Sequence, residues 1–166
     1  MPKHTIQEHF HADHFEFDGD IIKQAQKTRG GGRLTSPVIT ETTLVNTKYI
    51  VPMVLTDGTQ YELFLDATNT GIKYTGASDK TLLFMASISA QSDKNATECE
   101  WQVYVDGVAT NVTTQHYYDK LNKSSAFTII GRVEVKQDEI ITLYVSSDVS
   151  SAKITHNVVN IELFQI

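Results

Sequence analysis

Cysteine occurs once in this chain, at Cys99, so no disulfide can form within it. The residues on either side, Glu98 and Glu100, would hold that thiol protonated, which is the wrong setting for a nucleophile. Cys99 is therefore expected to be a small, half-buried residue beside a strand. Long apolar runs are absent too. Nothing approaches the roughly 20 consecutive apolar residues of a membrane-spanning helix. Pro2, Lys3 and His4 lead into polar residues rather than the apolar stretch of a secretion signal. The expectation is a chain made in the cytoplasm, without a signal peptide and without membrane contact. A basic excess is missing as well: residues 1–37 hold five Lys/Arg against five Asp/Glu, and residues 38–166 hold nine against fifteen, which accounts for the whole net charge of −6. An acidic globular part repels phosphate backbones, which argues against nucleic-acid binding.

What the chain does have is β character. Low charge (20%) together with many Thr, Ser, Asn, Val and Ile favours strands over helices. At 166 residues the length suits one domain, and a chain of this size buries roughly 70% of its unfolded surface without needing a metal or a disulfide. From Val38 onward short alternating runs follow one another. Val38–Val45 is rich in Thr. Tyr49, Val51, Met53 and Leu55 share a face that Pro52 interrupts, as on an edge or bulged strand. Asp57-Gly58 signals a hairpin into Tyr61–Leu65, and a polar loop, Asp66–Lys80, contains a short strand at Ile72–Tyr74.

The most regular alternation lies between Thr81 and Ile166. Leu82, Phe84, Ala86 and Ile88 share one face of a strand, with Leu83 and Met85 on the other. Trp101, Val103 and Val105 point inward, opposed by Gln102 and Tyr104, and Asp106-Gly107 turns the chain into Val108–Thr113. A loop is expected over Thr114–Ser125. Phe127, Ile129, Gly131, Val133 and Val135 form the next inward set. Ile141, Leu143 and Val145 follow, with Ile140 and Tyr144 opposite, and Val159, Ile161 and Leu163 lie in the last strand. Many short strands with polar turns predict an all-β fold: an antiparallel jelly-roll β-sandwich over residues 38–166, preceded by an extended N-terminal arm and Gly-rich linker over residues 1–37.

The arm carries four of the six histidines, interleaved with Phe10, Phe15 and Phe17. His9 and His11 would share one face of a strand, and His14 could complete a weak metal site. The preferred reading leaves the histidines at the rim of a packing surface, with no metal and no cofactor. Ile21–Lys27 can form a helical turn or two, which Gly30-Gly31-Gly32 ends as a flexible linker. Arg29 and Arg33 flank those glycines, but the spacing of a phosphate-binding loop is absent.

Three segments taken together carry a resemblance: Trp101-Gln-Val-Tyr-Val-Asp-Gly-Val108, then Gly131-Arg-Val-Glu-Val-Lys-Gln-Asp-Glu-Ile-Ile-Thr-Leu-Tyr-Val145, then Ile154-Thr-His-Asn-Val-Val-Asn-Ile-Glu-Leu-Phe164. Their succession of strand, Asp-Gly turn, acidic turn and closing strand resembles the tumour necrosis factor-like jelly roll, including the domains of that kind in virion proteins of tailed phages. The resemblance spans residues 80–166 and implies a homotrimer packed around a threefold axis. Leu83, Met85, Tyr104, Ile140 and Tyr144 are the interface candidates it suggests. The function it implies is non-enzymatic: a trimeric decoration or cement protein on a phage capsid, located on the virion surface. It would bind the major capsid protein or another virion protein through an arm carrying Phe10, Phe15, Phe17, Ile21, Ile22, Arg29 and Arg33. Two alternatives stand beside it. One is a glycan- or receptor-binding tail-fibre tip using Tyr74, Tyr117 and Tyr118, with Trp101 placed in the core. The other is a metal-dependent enzyme drawing on His9, His11, His14, His116 and His156, although no His-x-His-x-Glu pattern falls within the strands.

Overall fold

The computed structural model describes residues 27–56, 62–66, 68 and 70–166. Among them the chain runs through twelve strands and no helix: β1 (Arg29–Leu34), β2 (Val38–Thr42), β3 (Tyr49–Ile50), β4 (Leu55–Thr56), β5 (Leu63–Leu65), β6 (Ile72–Tyr74), β7 (Lys80–Ser92), β8 (Thr97–Val105), β9 (Val108–Tyr118), β10 (Ser125–Val135), β11 (Ile140–Ser147) and β12 (Ala152–Gln165). All pairings are antiparallel. The first sheet has the order β10-β7-β12-β1-β4, with β2 also on β12. The second has the order β5-β6-β11-β8-β9, with β3 also on β11. Sequence neighbours are exchanged between the two sheets, as in a jelly roll.

Period-two alternation positions the core. In β8, Thr97, Cys99, Trp101, Val103 and Val105 point between the sheets, while Glu98, Glu100, Gln102 and Tyr104 point out. They meet Leu82, Phe84, Ala86 and Ile88 of β7 and Val159, Ile161 and Leu163 of β12 in one continuous buried cluster. The segment around Pro52 explains the break expected there. β3 belongs to the second sheet and β4 to the first, so the chain crosses the sandwich through Val51–Val54, burying Val51 and Met53 on the way. Proline has no N–H to contribute to a ladder and suits that crossing.

Two expectations are corrected. The Gly-rich linker is strand β1, paired with β12 from Arg29↔Phe164 to Arg33↔Asn160, so the sandwich begins at Arg29 rather than Val38. A methyl group on Gly31 would run into the Ile161 carbonyl oxygen, and one on Gly32 would press on the Leu55 side chain. These glycines serve close backbone approach rather than flexibility. The loop expected over Thr114–Ser125 is mostly strand: β9 continues to Tyr118, directing Thr114, His116 and Tyr118 inward. The Asp106-Gly107 turn forms where it was expected, with both residues at positive φ (48° and 76°). The proposed Asp57-Gly58 hairpin lies outside the described residues, as do His9, His11, His14, Phe10, Phe15, Phe17, Ile21 and Ile22.

Candidate functional site

The outer face of the first sheet can be built row by row from its pairings. One row runs Arg132, Leu83, Phe164, Arg29 across β10, β7, β12 and β1. The next runs Ile130, Met85, Glu162, Gly31, and the third Thr128, Ser87, Asn160, Arg33. Residues directly opposite one another in antiparallel pairs share a face. The first two rows therefore bring Leu83, Met85, Ile130 and Phe164 into one apolar patch, bordered by charges. Ile130 is 57% exposed and Phe164 40% exposed, and Leu83 and Met85 are half-buried. Side chains of this kind clustered on a sheet face mark an interaction surface, whereas a scattered one would not.

The outer face of the second sheet is a different surface. Tyr104 and Tyr144 stack there, with ring centroids 4.0 Å apart, and Ile140 lies further along β11. Partial burial, then the neighbouring Tyr144 and Glu100, raise the Tyr104 phenol above its ordinary value. The five interface candidates are thus split: Leu83 and Met85 lie on one outer face of the sandwich, Tyr104, Ile140 and Tyr144 on the other. Ile130 and Phe164 join the first pair and were not anticipated. Their signal was present, because each is a large apolar residue on the outward phase of its strand. Ile130 stands between Ile129 and Gly131, and Phe164 follows Leu163.

The β9 and β10 strands end their respective sheets and face each other along one side of the sandwich. A cleft of about 1060 Å³ opens between them, lined by Val108, Val112, Ile130, Gly131, Arg132 and others. Val108 is 69% exposed at its mouth. Gly131 lets the edges close, since a Cβ there would stand 2.6 Å from a Val112 methyl.

Most of the remaining candidates for chemistry fall into the core. Trp101 is buried, as expected, and its indole N–H donates to Nε2 of His156 at 2.9 Å. Burial pushes the His156 imidazole down to about 4, against a smaller opposing effect of the Val38 and Ile154 backbone. His116 stacks on Phe127, and Phe127 packs on Trp101. Of the tyrosines considered for glycan stacking, Tyr74 and Tyr118 are buried and only Tyr117 is exposed. The Cys99 thiol is buried rather than half-buried and is pushed up to about 12, chiefly by burial and further by the carboxylates of Asp148 and Glu98, against a hydrogen bond with Ser147. Among the described residues no group of three or more His, Cys, Asp or Glu is arranged to hold a metal ion, and no helix is long and apolar enough to cross a membrane. Arg29 and Arg33, assigned to the arm, sit on β1 within the sheet.

Comparison of this architecture with solved structures is decisive for the fold. Eiger TNF from S. frugiperda superposes with a TM-score of 0.56 at 8% identity, covering 83% of this chain and 90% of that one. Murine APRIL gives a TM-score of 0.56 at 11% identity, covering 81% of this chain and 98% of that one. The fold is a TNF-like jelly roll. Neither the protein-family models nor the curated proteins give a match to the sequence. With so little identity, the likeness speaks for the arrangement of strands alone.

Proposed function

We propose that this protein is a non-enzymatic homotrimer, assembled through the outer face of the β10-β7-β12-β1 sheet. The observation that carries the reading is the apolar patch of Leu83, Met85, Ile130 and Phe164, which lies on a face that no layer covers among the described residues. A sheet face of this composition calls for a partner surface. The TNF-like fold supports the choice of a further copy as that partner. In a closed ring the contact is heterologous, so a patch on one copy meets a different surface on the next. The exposed Val108 at the mouth of the β9–β10 cleft offers that second surface. Tyr104, Ile140 and Tyr144 face away from the patch and stay outside this contact.

The role we propose for the trimer is decoration of a phage head. It would sit on the virion surface and be held to the major capsid protein or a neighbouring virion protein by the N-terminal segment, through Phe10, Phe15, Phe17, Ile21 and Ile22. The support is the resemblance of residues 80–166 to virion jelly rolls and the apolar, aromatic content of the segment that precedes β1. Purified protein mixed with undecorated heads tests it. The expected result is saturable uptake in multiples of three that is lost on removing residues 1–26. Equal uptake of the truncated chain contradicts the anchoring, and no uptake of the full chain contradicts the role.

A further inference from the structure

His156 occupies a junction in the fold that self-association does not explain. On β12 it pairs with Val38 of β2 on one side and Ala90 of β7 on the other. Immediately after it the register with β7 shifts, a bulge that skips Asn157. Along β12 the first half, from Ala152 to His156, is paired with β2; beyond the bulge, from Asn160, the strand is paired with β1. Among the described residues, the β2 strand is held in its sheet by β12 alone. From the other sheet, Trp101 reaches across the core and donates to His156 Nε2. The proton of the neutral ring therefore sits on Nδ1, which is buried and makes no hydrogen bond of ordinary geometry among the described residues.

We infer that the Trp101–His156 bond is an acid-operated clasp, and that protonating His156 releases β2 from β12. The reason is a change of sign at one atom. Neutral Nε2 accepts the indole N–H, whereas the imidazolium presents N–H at both nitrogens, so two donors would face each other in a buried site. The Val38 and Ile154 backbone offsets the new charge only in part, and among the described residues no carboxylate faces it. The titratable groups on the strands packed around it are Cys99 on β8 and Tyr118 and His116 on β9. Burial raises the first two, which keeps them neutral, and His116 is engaged with Phe127 and Tyr118. The β2, β7 and β10 strands contribute Thr40, Ala90, Ser92 and Phe127 to the interior. The carboxylates of Glu41, Glu98 and Glu100 lie on outward positions of their strands. A buried cation left without a counter-charge is costly enough to be relieved by movement, and of the strands around His156 the one with the fewest ties is β2, five residues long and paired with β12.

The sign follows from the depressed imidazole. A histidine that is harder to protonate when folded leaves stability intact above its unfolded value near 6.5, and stability is lost as pH falls from there toward about 4. Across that window the closed state should weaken by roughly two powers of ten relative to the open one. Hydrogen exchange of the full chain at pH 7 and pH 4.5, corrected for intrinsic rates, tests this, with fluorescence of the single tryptophan recording the site directly. The expected result is exchange in Val38–Thr42 rising at least tenfold more than in Ile129–Val133, together with a fluorescence transition between pH 6 and 4. The transition should vanish in His156→Gln, whose amide oxygen can still accept from Trp101, and persist in His116→Gln. A uniform rise in all strands, or a transition carried by His116, overturns the clasp. If His156→Gln does not fold, NMR titration of the His156 ring in the unaltered protein decides: titration near 6.5 with β2 still protected refutes the inference, and titration well below 6 coincident with β2 exposure upholds it.

Discussion

Ile130 and Trp101 show how far a single side chain can be read. Trp101 falls on the inward phase of β8, and its place in the core follows from alternation alone. Its hydrogen-bond partner does not, because His156 lies 55 residues along the chain and no local pattern connects them. Ile130 was legible in the opposite way. Its neighbours Phe127, Ile129, Gly131 and Val133 set the inward phase, which leaves a large apolar side chain on the outward phase with Thr128 and Arg132. Because Ile130 is exposed, replacing it should leave the isolated sandwich intact and act on association alone. Ile130→Glu is expected to weaken self-association at least a hundredfold in light scattering, through burial of an unpaired charge, with the far-ultraviolet dichroism unchanged. Tyr104→Ser on the opposite face should leave association unchanged. Reversal of those two outcomes would move the interface to the second sheet.

At the scale of elements, the strands with side chains to alternate were legible and the others were not. β7, β8, β10, β11 and β12 all lie where their apolar patterns put them. β1 escaped because Gly30, Gly31 and Gly32 have no side chains from which to read a face, and its partner β12 closes the chain far away in sequence. β9 was cut short because its inward residues after Val112 include Thr114 and His116, which look like loop residues out of context. The strand assignment of β1 makes a prediction opposite to that of a linker. Alanine in a flexible linker is neutral or stabilising by up to about 1 kcal/mol, by reducing the freedom of the unfolded chain. Gly31→Ala should instead destabilise by about 2 kcal/mol in urea unfolding, since the added methyl meets the Ile161 backbone, which cannot give way without moving β12. A neutral or stabilising result would contradict the pairing of β1 with β12.

At the scale of the whole molecule, two antiparallel sheets of exchanged strands were foreseen from the number of short alternating runs and the turns between them. The distribution of the second-face residues was not. Alternation tells whether a residue points in or out, but the sheet to which its strand belongs is set by long-range pairing, so Leu83 and Tyr144 look equivalent in sequence and lie on opposite sides of the sandwich. The resulting asymmetry gives the molecule one apolar outer face, around Leu83, Met85, Ile130 and Phe164, and one that is aromatic and polar, around Tyr104, Tyr144 and Gln102. Self-association through the first face is the central claim, and sedimentation velocity of the full chain at micromolar concentration tests it most directly. The account predicts a single species of three 18.6 kDa chains; a monomer under those conditions would contradict it.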